Sequence, residues 1–124
     1  AYTVERIERG REQGILYLKL FVTIWNVQVK EDRHCHGEQP LKAESWDQAP
    51  LDNVTFRKTV KWAYYDGCRY GCHPPWGPPE VHTKPSLIAT TRTSMVQRVY
   101  LTCDEDHRAA KVHVPLMGTY HGKN

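Results

Sequence analysis

Cysteine and histidine side chains concentrate in two short segments of this sequence. The stretch YDGCRYGCHPP at 65–75 contains Cys68 and Cys72, and the tripeptide HCH at 34–36 contains Cys35. Thiolates and imidazoles are preferred zinc ligands, and structural zinc sites usually combine two closely spaced ligand pairs. A zinc site made of the three cysteines and one histidine can therefore be composed from the sequence.

Disulfide bonds are the alternative use of these thiols, and it is the one we favour. In a strand, the two histidines of the HCH tripeptide would point away from its cysteine, so that segment supplies only half of a ligand pair. An even number of cysteines is typical of a disulfide framework. We therefore expect two disulfides, no metal and no cofactor. The sequence leaves the pairing open, and we favour Cys35 with one of Cys68 or Cys72, and Cys103 with the other.

Two further features favour secretion. Asn53-Val54-Thr55 is an acceptor triplet for N-glycosylation, which places Asn53 on the surface of a secreted protein. The sequence begins with alanine, which we interpret as the result of processing or of trimming of the chain. The longest apolar run, at 15–29, is interrupted by Lys19, Thr23 and Asn26, so we expect no membrane partner.

Length and composition indicate one globular domain over 1–124. Charged residues make up 25% and aromatic residues 10% of the 124 residues, which excludes a disordered chain. The net charge of +3 is compatible with nucleic acid but does not require it. No run rich in lysine and arginine occurs, so we interpret the charge as a solvated surface.

The elements that position these residues are predicted mainly from apolar periodicity. Apolar and polar residues alternate over 54–64, which predicts a half-buried strand. The run at 15–29 predicts a long central strand, although a buried helix also fits. Residues 3–13 fit a short helix, with Thr3 as its cap, Val4 and Ile7 facing inward and Gly14 at its end. They also fit a first strand with a turn at 10–14.

A hairpin is predicted at the C-terminal end, with strands at 95–103 and 109–117. Pairing Arg98 with His113 gathers apolar residues on one face, and we expect four of them in the core: Val99, Leu101, Val112 and Val114. The expected fold is α+β or mostly β, with a small antiparallel sheet, at most one short helix, and disulfides that stabilise it.

The other face of this hairpin raises the possibility of RNA cleavage. Cleavage through the 2′-hydroxyl needs a base, an acid and a cation over the phosphate, and Glu80, His113 and Arg98 supply these groups. The segment at 80–113 resembles the C-terminal part of small microbial ribonucleases and of ribonuclease-like secreted effectors of plant-pathogenic fungi. The resemblance implies Glu80 as general base, His113 as general acid, Arg98 as phosphate clamp, and one helix packed on an antiparallel sheet. The family's second histidine has no counterpart in 54–64, so we expect inefficient catalysis.

The proline-rich segment at 66–79 predicts a stiff loop that presents Tyr70, His73 and Trp76 for binding, although packing of Trp76 onto the sheet fits the sequence equally well. We therefore expect a secreted protein-interaction module, a pathogen effector with a ribonuclease-like fold whose partner is a host or extracellular protein. One alternative is an active ribonuclease or an RNA-binding protein. A second is a zinc-stabilised binding module.

Overall fold

The structure is a computed structural model that describes residues 3–77 and 80–115. Its α-helices are α1 (Val4–Lys30), α2 (Val54–Thr59), α3 (Thr93–Val99) and α4 (Glu105–Ala110). Its strands are β1 (His36–Pro40), β2 (Lys61–Asp66), β3 (Glu80–Thr83), β4 (Pro85–Thr90) and β5 (Val112–Pro115). Short 3₁₀ turns occupy Glu44–Asp47, Ala49–Asp52 and Gly67–Tyr70.

The first helix, α1, is much longer than the sequence predicted. Thr3 caps it as expected, because its hydroxyl accepts a hydrogen bond from the N–H of Arg6 at 3.3 Å. The helix then continues for 27 residues, so the strand predicted at 15–29 is wrong. Its buried residues are Leu18, Val22 and Trp25, which recur with helical spacing.

The N-terminal part of α1 does not face the core. Val4 is 70% exposed and Ile7 is 43% exposed, so the prediction that both face inward is wrong. Gly14 does not end the helix. A glycine inside an exposed helix costs about 0.5–1 kcal/mol, which the packing of the following turns offsets.

The strand predicted at 54–64 is wrong in its first half, where the chain forms α2. The side-chain oxygen of Asn53 accepts hydrogen bonds from the N–H groups of Thr55 and Phe56, at 3.0 and 3.4 Å. This cap satisfies two N–H groups that a helix start would otherwise leave unpaired, and it starts a helical turn. β2 begins only at Lys61.

Two small sheets form the β part of the fold. The first has the order β1-β4-β2 and is antiparallel, with His36 and Lys61 on either side of Thr90. The second pairs β3 with β5 in parallel, with Val81 opposite His113. The predicted α+β class with a small antiparallel sheet is confirmed, and the described residues contain more helix than we expected.

The predicted C-terminal hairpin does not form. Arg98 lies on α3, and the expected turn is α4, whose cap is the Asp104 side chain accepting from the N–H of His107 at 2.8 Å. β5 then pairs with β3 rather than with residues before the turn. The expected core set is also wrong: Val112 is 55% exposed, and Val99, Leu101 and Val114 are only partly buried.

The core lies where α1 packs on α2, on the 3₁₀ turn at Ala49–Asp52 and on β4. Trp25 is fully buried, and its ring centroid is 4.7 Å from that of the buried Phe56. The indole N–H of Trp25 donates to the hydroxyl of Thr59 at 2.8 Å. Among the described residues, no helix has the length and apolar content needed to cross a membrane.

Candidate metal centre

Two cysteines and two histidines meet at one point, where the three-stranded sheet approaches the β3–β5 pair. Cys68, Cys103, His107 and His113 each offer one ligand atom, and these atoms all lie within 4.8 Å of one another. Cys68 is buried and the other three are partly buried. Two thiols and two imidazoles form one of the donor sets that structural zinc uses.

Cys68 is placed by the tight turn that follows β2. The N–H of Gly67 donates to the carbonyl of Lys84 at 2.8 Å, and the N–H of Cys72 returns to the carbonyl of Gly67 at 3.0 Å. A Cβ at Gly67 would lie 3.1 Å from the Lys84 carbonyl oxygen, so the close approach favours glycine there. Gly71 ends the turn with a φ of 76°, which also favours glycine. The turn holds the Cys68 thiol in the interior.

Cys103 is placed by hydrogen bonds to β2 and to the turn beside it. The N–H of Asp66 donates to the carbonyl of Leu101 at 2.9 Å, and the Asp66 carboxylate accepts from the N–H of Cys103 at 2.7 Å. Arg69 donates to the carbonyl of Thr102 at 2.8 Å. The chain on both sides of Cys103 is therefore tied to the residues on both sides of Cys68.

His107 is brought to the site by the first turn of α4. Cys103 and His107 are four residues apart, and the cap by Asp104 folds the chain between them. Donation from the N–H of His107, and from Arg69 at 2.7 Å, lowers the pKa of the Asp104 carboxyl. The Nε2 atom of His107 is buried and has no hydrogen-bond partner among the described residues. A buried polar atom without a partner is rare and calls for a specific explanation.

His113 reaches the site from β5. Its Nδ1 lies 3.1 Å from the carbonyl oxygen of Lys111, so Nδ1 carries the proton in this hydrogen bond. That assignment leaves the lone pair on Nε2, which lies 3.3 Å from the Cys103 sulfur. A histidine that donates its other nitrogen to a carbonyl is the usual arrangement of an imidazole metal ligand. The His107 and His113 rings meet edge to face, with centroids 5.2 Å apart.

The surroundings of this site disfavour the ionised forms of Cys68 and His107. Burial, together with the neighbouring Cys103, raises the pKa of the Cys68 thiol to about 11. Burial also lowers the pKa of His107, with smaller contributions from the positive charges of His113 and Arg69. The folded chain thus favours a neutral thiol and a neutral imidazole. A divalent cation would make both side chains ligands at neutral pH, because it stabilises the thiolate and needs the imidazole unprotonated.

The other two cysteines lie outside this group. Cys35 is 9% exposed and belongs to the hydrophobic core with Leu18 and Trp25. Cys72 is partly buried. The sequence allows a zinc site made of Cys35, Cys68 and Cys72. Of these three cysteines, only Cys68 belongs to the group of ligand atoms that the structure brings together. All four cysteines are free thiols in the structure, and the disulfides stay a prediction.

The three residues proposed for RNA cleavage do not share one sheet face. Glu80 pairs with Val112 and His113 pairs with Val81, so Glu80 and His113 occupy successive register positions and point to opposite faces. Glu80 accepts a hydrogen bond from the Trp76 indole at 2.8 Å. Arg98 lies on α3 and is exposed. The resemblance of residues 80–113 to small microbial ribonucleases stays a prediction.

The proposed binding loop and glycosylation site are accessible in part. Tyr70 is 54% exposed and Trp76 is 38% exposed, while the Tyr70 hydroxyl donates to the carbonyl of Val99 at 2.8 Å. His73 is exposed, and its Nδ1 lies 2.7 Å from the Pro74 carbonyl oxygen. The capping role of Asn53 uses its side-chain oxygen, whereas glycosylation would use its nitrogen. Both assignments stay predictions.

The sequence-based prediction did not group Cys103, His107 and His113 as ligands of one metal ion. The signal was present: Cys103-x₃-His107-x₅-His113 spaces three zinc-type ligands within one short segment. The predicted hairpin instead treats the residues between Cys103 and His107 as part of its turn. In comparisons with known proteins, no family model, no curated protein and no solved structure matches this chain.

Proposed function

We propose that this chain is a zinc-stabilised interaction module, in which Cys68, Cys103, His107 and His113 bind one Zn²⁺. The observation that carries the proposal is the convergence of these four ligand atoms within 4.8 Å. The buried, unpartnered Nε2 of His107 supports it independently, because a metal is a partner that this nitrogen can take.

The distances fit a tetrahedral zinc ion after a small contraction. Zinc–sulfur bonds of about 2.3 Å and zinc–nitrogen bonds of about 2.0 Å place neighbouring ligand atoms roughly 3.3–3.8 Å apart. The 3.3 Å between the Cys103 sulfur and the His113 Nε2 is already in that range. No ligand pair exceeds 4.8 Å, so the others need to close by about 1.5 Å at most.

The donor set favours zinc in a structural role. Thiolate and imidazole together suit Zn²⁺ better than Mg²⁺ or Ca²⁺, which prefer oxygen. Four protein ligands complete a tetrahedral shell, whereas a catalytic zinc keeps one position for water. We therefore propose a binding module rather than an enzyme.

Zinc would hold together a part of the fold that has little packing of its own. α4 has six residues and β5 has four, and neither contains a buried residue among its described side chains. A two-stranded sheet such as β3–β5 is at best marginally stable alone. Ligands on the turn after β2, before α4, in α4 and in β5 would join this sheet to the larger one.

The secreted interaction module with two disulfides is the competing proposal. A thiolate that binds zinc cannot at the same time form a disulfide, so the two proposals require different states of Cys68 and Cys103. Partnership with a host or extracellular protein can accompany either.

Zinc stoichiometry together with thiol counting separates the two. The chain, purified without added reductant from a medium that contains zinc and then dialysed, should hold one zinc ion and show four reactive thiols after denaturation with chelator. Cys103→Ser and His107→Ala should each lose the zinc, because a missing ligand opens the shell.

Cys72→Ser and His73→Ala are the matched controls, since they change the same residue types outside the four-residue group. Both should keep one zinc ion. Zinc that survives Cys103→Ser and His107→Ala, or two disulfides without bound zinc, would refute the proposal.

A further inference from the structure

A second polar surface lies where the C-terminal ends of α1 and α2 meet the end of the three-stranded sheet. A cleft of about 370 Å³ opens there, and we call it the basic cleft. The following residues line it: Val29, Asp32, Arg33, His34, Lys58, Thr59, Lys61 and Thr91.

The cations of this cleft come from segments that are distant in the sequence. Arg33 and His34 follow α1, Lys58 lies in the last turn of α2, and Lys61 begins β2. The sheet register brings them together, because Lys61 and His36 pair with Thr90 from opposite sides. The sequence shows no basic run, so only the fold reveals this concentration of charge.

The charge of the cleft is largely uncompensated. Arg33, Lys58 and Lys61 face a single carboxylate, that of Asp32, within the lining. None of these three cations forms an ion pair with any residue in 3–77 or 80–115. Arg33 donates instead to the Gln28 amide oxygen at 2.6 Å, and Lys61 donates to the carbonyl of Thr91 at 3.4 Å. All three side chains are exposed.

One further positive charge lies beside the cleft, on Arg92, the residue after Thr91 of the lining. Burial lowers the pKa of His36, and the positive charges of His34 and Arg92 lower it further. His34, His36 and Arg92 are exposed. A lowered pKa leaves His36 uncharged at neutral pH, so the permanent positive charge beyond the cleft is that of Arg92.

We infer that the basic cleft binds the phosphodiester backbone of a nucleic acid. Exposed cations gain little from a single anion in water, because solvent and salt screen each pair. A polyanion engages several of them at once and releases its condensed counterions, which favours binding. The cleft offers guanidinium, ammonium and hydroxyl groups, and its only aromatic ring is the imidazole of His34, so contacts to phosphate should dominate over contacts to bases.

The salt dependence of binding gives a quantitative expectation. If the three cations each neutralise one phosphate, the plot of log K against log salt concentration should have a slope of about −2.7 for duplex DNA. For a single strand the slope should be about −2.1. Changing the base sequence should alter the affinity little.

The test is fluorescence anisotropy with labelled 20-nucleotide single-stranded RNA and duplex DNA of mixed sequence. The cleft variant is Lys58→Glu with Lys61→Glu. The matched control is Lys19→Glu with Lys42→Glu, which changes net charge equally at exposed lysines outside the cleft. We expect the cleft variant to bind roughly tenfold or more weakly, and the control to stay within about threefold of the wild type.

Far-UV circular dichroism confirms that each variant folds, and Lys58→Gln with Lys61→Gln replaces the glutamate variant if that one does not. Equal losses in the cleft and control variants would attribute binding to net charge and overturn the inference, as would affinity that does not depend on salt. Competition by millimolar inorganic phosphate beyond that of chloride at equal ionic strength would identify a small-anion site and also overturn it. The zinc ligands are unchanged in these variants, so the outcome is independent of the zinc proposal.

Discussion

The hydrogen bond between Trp25 and Thr59 supports a specific prediction about the packing of α1 on α2. Trp25 is fully buried, and its indole N–H has the Thr59 hydroxyl as acceptor at 2.8 Å. Thr59→Val removes this acceptor while keeping the shape of the side chain. A buried donor left without a partner costs about 1–3 kcal/mol, so we expect the free energy of unfolding to fall by that amount.

The measurement is urea unfolding followed by tryptophan fluorescence and by circular dichroism. For a chain of 124 residues the expected loss corresponds to a decrease in Tm of roughly 4–12 °C. Thr59→Ser is the matched control, because it retains the hydroxyl and removes only a methyl group. If Thr59→Val were as stable as the wild type while the m-value stayed unchanged, the contact between α1 and α2 would be wrong.

Three further changes test the long helix and the metal centre. Gly10→Ala should raise the free energy of unfolding by about 0.5–1 kcal/mol, because the added Cβ meets no atom within 4 Å, and a decrease in Tm would indicate a turn at that position. Zinc at about a hundred times its dissociation constant should stabilise the wild type by about 2.7 kcal/mol. In thermal scans, added chelator should abolish this stabilisation, and zinc should not stabilise Cys103→Ser. Arg69→Met should weaken zinc binding by about tenfold in a competition titration, since Arg69 positions the chain around Cys103. The control Arg57→Met breaks an exposed ion pair with Asp52 and should leave the zinc affinity unchanged.

The helix α1 shows why periodicity alone misassigned the N-terminal part. Apolar residues occupy both its buried face and its solvent face: Leu18 and Val22 are buried, while Leu16, Tyr17 and Leu20 are more than half exposed. The mixture hides the helical period and imitates a strand that is apolar on both sides. The cap at Thr3 was readable, because it depends on local chemistry alone.

The start of α2 illustrates a different limit. The alternation from Val54 onward fits a strand, yet Asn53 caps a helix whose Phe56 fills the core next to Trp25. The same asparagine belongs to a glycosylation triplet, and asparagine is also among the residues preferred at helix N-termini. Local patterns were ambiguous here, and tertiary packing of Phe56 decided between them.

The metal centre was predictable in part. The spacing of Cys103, His107 and His113 is a local signal and could have been read from the sequence. The choice of Cys68 rather than Cys72 as the fourth ligand could not, because it depends on the parallel pairing of Tyr65 with Leu101 and on the Asp66 carboxylate. The basic cleft was likewise invisible, since its cations meet only through the register of the sheet.

Zinc-edge X-ray absorption of the zinc-loaded chain tests the proposed metal centre most directly. We expect a first shell of two sulfur and two nitrogen neighbours, with zinc–sulfur distances of about 2.3 Å and zinc–nitrogen distances of about 2.0–2.1 Å. Multiple scattering from imidazole rings should be present in the wild type and reduced in His107→Ala. A shell of oxygen and nitrogen atoms without sulfur would contradict the assignment of Cys68 and Cys103 as ligands.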